Sequence, residues 1–391
     1  MVVRTGAQRL CADPGLAGPG RPGLVTNYTG ILPNLDSTVD GALRAGVPLA
    51  ALFGPEHGIR GSVQAGYSES EAVDPASGLP VYDTYGASGE ALDEVLAGSD
   101  VDTLLYDLQD IGTRFYTYVW TMFDVMVSAA RTGKRFVVLD RPNPVSGAVT
   151  EGPGLSPRYA SFVGRVSIPI RHGLTVGELA RYLNAGPVPD AAGTPVDLDV
   201  VAMEGWRRTM FAAQTGQPWV LPSPNIPTAD SALVYPGTGL FEGTNLSEGR
   251  GTTRPFELIG APYVDERLLP ALRSLELPGV AFRDVWFTPT FHKHAGQTVR
   301  GVQVHVTDPV LFQPIRTAVA MIGVLRREYP DSFGWRVGDS GAEYQGPRYF
   351  IDLLWGDDDL RHAVDAGADP LPLVPDRGSP ADWAGEHLLY P

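Results

Sequence analysis

A carboxylate and an imidazole stand side by side where an apolar run stops. Between Leu52 and Arg60 the chain reads LFGPEHGIR, and the preceding stretch Val47 to Phe53 is apolar and short enough for a buried strand. Glu56 and His57 are therefore expected at the carboxyl end of a strand, the edge where open α/β sheets bind ligands. A second segment repeats this layout: LLYDLQDIGTRFYTY, Leu104 to Tyr118, is a strand followed closely by Asp107, Gln109, Asp110, Arg114, Tyr116 and Tyr118. Two strand ends this rich in titratable and hydrogen-bonding groups point to an enzyme cleft. A third polar patch, Gly237 to Arg254, holds Glu242, Asn245, Glu248, Arg250 and Arg254 among Gly and Thr. Its density of directed hydrogen-bonding side chains predicts a binding loop more than a solvated excursion.

These groups need a scaffold. In the first 150 residues, strand candidates Gly23–Asn27, Val47–Phe53, Leu79–Tyr82, Val101–Asp107 and Arg135–Asp140 alternate with helix candidates Ser37–Ala45, Gly89–Ala97 and Tyr118–Thr132. In the last of these, Val119, Met122, Phe123, Met126 and Val127 recur at helical spacing. Strands separated by single helices imply right-handed βαβ units and a mostly parallel sheet. The first domain, residues 1–155, is thus expected to be Rossmann-like in an α/β chain. No strand leads into GxGxxG, since Gly18, Gly20 and Gly23 precede the first strand, so a dinucleotide cofactor is not expected. Beyond the Pro- and Gly-rich DRPNPVSGAVTEGPGL, residues 156–391 mix strands and helices with long loops and are expected to form a smaller α+β domain. There, Thr175 with Glu178 three residues on reads as a capping box, and a helix is expected over Pro314 to Glu328.

Composition limits the function classes. The 391 residues are enough to bury two cores, and 43% hydrophobic with 19% charged residues is usual for a folded soluble protein. With 45 acidic against 30 basic residues, the net charge of −15 repels nucleic-acid backbones. No stretch approaches the roughly 20 apolar residues of a membrane helix. A single cysteine, Cys11, excludes an internal disulfide. The N-terminus shows no secretory signal, so the chain as written is expected in the cytoplasm, with export remaining open if the start codon is mis-called.

Seven motifs carry a resemblance: VTNYTG, LFGPEHGIRG, YDLQDIGTRFYTY, VVLDRPNP, SIPIRHGLTVGELARYLN, PSPNIPT and FEGTNLSEGRGT, in that order from about Gly23 onward. The chain resembles the DUF1343 family, which includes exo-β-N-acetylmuramidases of the NamZ type, glycoside hydrolases of peptidoglycan recycling. The resemblance implies a Rossmann-like domain and a smaller domain with a cleft between them. It also implies release of N-acetylmuramic acid from the non-reducing end of peptidoglycan fragments, so muropeptides or disaccharides containing that sugar are the expected partners, with no cofactor. Many family members are exported, and this chain departs from them in showing no signal.

Glycoside hydrolysis requires a protonated acid beside the leaving oxygen and stabilisation of an oxocarbenium-like transition state. Glu56 is the candidate acid, and His57 would bind substrate, orient Glu56 or simply satisfy backbone groups. Asp107 or Asp110 would supply a second carboxylate, although Asp110 could instead pair with Arg114. Alternatively the substrate's acetamido oxygen attacks the anomeric carbon, with Tyr116, Tyr118 or Asn225 positioning it. Arg60, Arg114, Arg250 and Arg254 are candidates for the lactyl carboxylate of muramic acid, Arg250 and Arg254 foremost. Asn27, Gln109, Glu242, Asn245 and Glu248 complete the candidate substrate contacts. Two competing readings are a metal-dependent hydrolase and a non-catalytic muropeptide-binding protein. HKH at 292–294 is superficially metal-like, but its histidines are expected on one side of a strand with no third ligand nearby.

Overall fold

The computed structural model describes residues 2–56, 58–60, 73–338 and 348–391. Six parallel strands form the main sheet: β1 (Pro22–Thr26), β2 (Ala51–Gly54), β3 (Val81–Asp83), β4 (Thr103–Asp107), β5 (Arg135–Leu139) and β6 (Asp197–Val201). Their order, β3-β2-β1-β4-β5-β6, is that of the doubly wound Rossmann sheet. The expected strands and helices are present with small shifts at their ends. The helix Tyr118–Thr132 has the expected bounds, and Gly133 ends it in the left-handed region at φ 68°.

Successive strand residues face opposite sides, which sorts the apolar side chains into two layers. Leu24, Leu52, Leu105 and Val137 pack with Ala7 and Leu10 on one face. Val25, Phe53, Tyr106 and Phe136 face the other way, onto Val119, Met122 and Met126 of the helix Tyr118–Thr132. That second layer continues without a break into the rest of the chain. There a three-stranded antiparallel sheet, β7 (Leu258–Ala261), β8 (Val280–Phe287) and β9 (Val299–Val306), is ordered β7-β9-β8. Val302, Val304, Ile315 and Val319 belong to the same core, the last two from the helix Pro314–Glu328. The α/β architecture with a smaller second sheet agrees with expectation.

The main sheet, however, runs past residue 155. β6 pairs in parallel with β5 from Arg135↔Asp197 to Leu139↔Val201, so residues after the expected boundary complete the Rossmann layer. The connection carries the helix Val176–Ala185, opened by the expected capping box: Thr175 Oγ1 accepts from Glu178 N at 3.2 Å, and Glu178 Oε2 accepts from Thr175 N at 3.1 Å.

Arg114 staples the halves together. Its guanidinium is fully buried and donates to the carbonyls of Pro153 (2.8 Å), Ile168 (2.9 Å), Leu354 (2.8 Å) and Trp355 (2.7 Å). It therefore cannot serve as a substrate ligand, and it does not pair with Asp110. A buried acceptor stripped of its donor loses about 1–3 kcal/mol. Arg114→Met, which keeps the apolar volume, is expected to destabilise the protein by more than about 3 kcal/mol, read as a lower urea midpoint. A shift worth under about 1 kcal/mol would show that the staple contributes little.

Candidate active site

A cavity of about 790 Å³ opens between the main sheet and the second half of the chain. Its floor comes from the carboxyl ends of three strands. After β2 the chain turns, Gly58 N donating to Pro55 O at 2.9 Å, and Gly58 holds φ 71°, a value that favours glycine. The turn presents Glu56, 9% exposed, to the cavity, where Thr117 Oγ1 donates to Glu56 Oε2 at 2.5 Å. After β3 come Thr84 and Tyr85, and after β4 the run from Phe115 to Thr121. The second half adds Ser223, Ile226, Tyr235, Glu242, Arg250, Phe256, Arg336 and Phe350.

Phenols surround Glu56. Burial pushes the Tyr28 and Tyr85 hydroxyls up to about 12, with the Glu56 charge adding to the shift. Tyr116, Tyr118 and Tyr235 are raised further by the same causes. These hydroxyls stay protonated near neutral pH and remain donors. The Tyr235 ring meets Phe115 at 5.4 Å, Tyr116 at 5.9 Å and Phe256 at 4.7 Å between centroids, so aromatic edges hold the two walls together.

Several sequence candidates sit elsewhere. Asp107 is fully buried at the end of β4 and bound bidentately by Arg141, Nε to Oδ1 at 2.5 Å and Nη2 to Oδ2 at 2.9 Å. It does not line the cavity, and the guanidinium from the end of β5 occupies both its oxygens, so it is no second catalytic carboxylate. Asp110 accepts from Gly112 N at 2.7 Å and faces His172 Nε2 at 3.2 Å. His172 Nδ1 accepts from Leu174 N, which leaves Nε2 to carry the proton toward Asp110. Asn27 Nδ2 donates to the Tyr118 hydroxyl at 2.7 Å, and that hydroxyl donates to Pro222 O at 2.7 Å. Tyr118 is thus both cavity wall and internal strut.

Gln109 donates to the carbonyls of Asp110 and Pro142 and lines a separate cavity of about 120 Å³. Asn225 is buried with its amide nitrogen unpartnered, while its neighbours Ser223 and Ile226 reach the main cavity. Arg60 pairs with Asp74, and His57 lies outside the described residues.

The polar loop is wired mainly to itself. Arg250 Nε donates to Glu242 Oε1 at 3.0 Å and lies 3.3 Å from Glu248 Oε1. Burial works against the Arg250 charge, yet the two carboxylates raise its pKa above the ordinary arginine value. Asn245 donates to Ser332 O and accepts from Tyr263 at 2.8 Å, a structural role. Arg254 is 46% exposed, pairs with Glu257 at 3.4 Å and misses the cavity wall. Arg250 and Arg254 are therefore not the free lactyl readers expected, because neighbouring acids engage their charges.

The 292–294 segment is a turn, where a strand was expected, with His292 and His294 at positive φ. His292 Nδ1 faces Glu248 at 3.2 Å, whereas His294 Nε2 meets Asn245 O at 2.8 Å. Among the described residues no group of three or more His, Cys, Asp or Glu is arranged to hold a metal ion. Among them also, no helix is long and apolar enough to cross a membrane.

Comparison with known proteins decides the family. Residues 23–230 match the family described as exo-beta-N-acetylmuramidase NamZ, N-terminal, and residues 233–375 match its C-terminal counterpart. The chain belongs to the NamZ family. It is 49% identical over 334 residues to the peptidoglycan beta-N-acetylmuramidase NamZ of Bacillus subtilis (strain 168), covering 85% of this chain and 79% of that protein. Two crystal structures of DUF1343 family proteins from Bacteroides fragilis NCTC 9343 are also similar. One superposes with a TM-score of 0.86 at 35% identity, the other with 0.72 at 25%, each covering 100% of this chain and 99% of the other.

Within this NamZ-family site, several cavity residues escaped the sequence reading. Thr117 lies inside a motif already singled out and donates to Glu56, and Tyr28, in another such motif, feels the Glu56 charge without lining the cavity. Asp124 and Arg165, which pair at 3.1 Å, and Arg336 carry no local signal, because only the tertiary fold brings residues 124, 165 and 336 to one wall.

Glu248 anchors the loop. Burial alone would push its carboxyl up, but Lys293 at 2.8 Å, His292 and Arg250 outweigh that and hold it well below the usual carboxylate range. A depressed folded value means that the stability it contributes is present above the unfolded carboxylate pKa and lost as pH falls toward the folded one. Unfolding free energy is expected to drop between about pH 4.5 and 2, with a shallower drop in Glu248→Gln. Identical pH slopes in the two proteins would exclude this network as their source.

Proposed function

We propose that Glu56 is the proton donor of an exo-acting β-N-acetylmuramidase that releases N-acetylmuramic acid from the non-reducing end of peptidoglycan fragments. A protein of the NamZ family is a glycoside hydrolase, and such enzymes need an acid beside the glycosidic oxygen. The observation that carries the assignment is the placement of Glu56. It stands at a strand-end turn, nearly buried, facing a cavity large enough for a sugar residue, with Thr117 fixing one carboxyl oxygen. Muropeptides and muramyl disaccharides are the proposed substrates.

Glu56→Gln keeps size and hydrogen bonding but has no proton to give, and general acid catalysis contributes about 10²–10⁴-fold. The variant is expected to bind N-acetylmuramic acid like wild type while losing at least about 100-fold in kcat on an alkyl muramide, followed by detection of the free sugar. Retention of more than about a tenth of wild-type kcat would remove Glu56 from this role.

Among the described residues, the other carboxylates on the cavity wall are Asp124 and Glu242, each held by an arginine, Arg165 and Arg250 respectively. This favours the route in which the substrate's own acetamido oxygen attacks the anomeric carbon, with tyrosine hydroxyls orienting the group. Successive fluorination of the N-acetyl methyl weakens that oxygen as a nucleophile, so kcat is expected to fall stepwise along the series. A flat series would assign the attack to an enzyme carboxylate or to water.

A further inference from the structure

Among the described residues, four basic side chains line the cavity: Arg165, Arg250, His292 and Arg336. Three are committed to acids. Arg165 faces Asp124 at 3.1 Å, Arg250 is held by Glu242 and Glu248, and His292 lies 3.2 Å from Glu248. Arg336 differs, since no carboxylate among the described residues pairs with it. Its guanidinium carbon sits 5.1 Å from the centroid of the Phe350 ring, and Phe350 in turn stacks on Phe162 at 6.4 Å with the ring planes 22° apart. Its backbone is pinned from both sides: Arg336 N donates to Gly243 O at 2.8 Å, and Phe350 N donates to Arg336 O at 3.1 Å.

We infer that Arg336 binds the lactyl carboxylate of the sugar in the cavity and thereby selects muramic acid over the sugar that lacks this group. The inference rests on the proposed muramidase function. A chain of net charge −15, with Glu56, Asp124 and Glu242 on the same wall, disfavours an anionic sugar unless a local cation compensates. Arg165 and Arg250 can offer such compensation only by giving up an acid already in contact. Arg336 surrenders no ion pair with a described residue. A guanidinium lying on an aromatic ring keeps its edge N–H groups available, and its planar fork matches a carboxylate bidentately. The ring also limits the side chain's freedom before substrate arrives, so less entropy is lost on binding.

The test uses the full-length protein and two variants, Arg336→Met and the milder Arg336→Gln, in two arms. Calorimetry measures binding of free N-acetylmuramic acid and of its lactyl methyl ester, which removes the charge and adds only one methyl. Wild type is expected to favour the acid by about 10–100-fold, the range of a charge-assisted contact, and both variants to bind acid and ester alike. Kinetics then compares a chromogenic N-acetylmuramide with the matching N-acetylglucosaminide. On the muramide KM is expected to rise by about the same factor with kcat nearly constant, while the glucosaminide parameters stay as in wild type.

A variant that still prefers acid to ester, or loses equally on both sugars, overturns the assignment and makes Arg336 a structural prop for Phe350. If Arg336→Met fails to fold, Arg336→Gln carries the same comparison. Wild-type protein that cleaves neither sugar would defeat the proposed function, yet the acid-to-ester comparison would still decide Arg336.

Discussion

A fully buried guanidinium that pairs with no carboxylate among the described residues holds the active-site scaffold together. Arg114 reaches four carbonyls from three distant stretches of chain, at Pro153, Ile168 and Leu354–Trp355. Its own carbonyl accepts from the Trp120 indole at 2.6 Å, and its amide donates to Ile170 O at 2.7 Å. Desolvating such a cation is expensive, and several neutral dipoles offset the loss only if all remain in place. The loop after β4 therefore has little freedom. Thr117 and Tyr116 follow within three residues, so the geometry around Glu56 descends from this staple through a short, stiff piece of chain.

Charge is distributed in the cavity with a similar logic. The loop around Glu248 gathers Arg250, His292 and Lys293 about one buried carboxylate, and Lys293 also donates to the carbonyls of Phe241 and Leu246 at 2.8 Å. Removing any partner would strand a buried charge, which makes the loop a fixed wall more than an adaptable clamp. A rigid wall suits catalysis by pre-arranged dipoles, since little reorganisation accompanies charge development. Away from this network the described cavity wall presents Tyr85, Tyr116, Thr117 with Glu56, and Arg336.

Local pattern carried much of the fold. Apolar strands followed by periodic helices placed β1 to β5 and the helix Tyr118–Thr132, and the capping box placed the start of the helix at Val176, because each signal is complete within a few residues. The membership of β6 was not legible, since Asp197–Val201 has a half-exposed, charged pattern and joins the sheet only by pairing with β5. The same limit explains the site. Glu56 could be singled out from its strand-end position, but Asp107 looks catalytic until Arg141, at the end of β5, is seen to occupy it. Likewise Arg250 reads as a ligand for an anion until Glu242 and Glu248 are found folded onto it.

The Asp107–Arg141 pair also explains where the cavity lies. In a sheet of this order the crevice between β1 and β4, where the winding reverses, is the usual ligand position. Here that crevice is filled. Asp107 takes Arg141, Thr26 Oγ1 donates to Asp107 O at 2.9 Å, and Asn27 ties Thr29 to Tyr118, leaving nearby a space of only about 120 Å³. The large cavity is displaced over β2, β3 and the start of the helix at Tyr118, where the parallel sheet supplies only a floor. Its remaining walls must come from the second half of the chain, through Tyr235, Glu242, Arg250, Arg336 and Phe350. Plugging the Rossmann crevice with an ion pair thus makes the site depend on both halves. The first half contributes Glu56, proposed as the acid, and the second contributes the wall that carries Arg336.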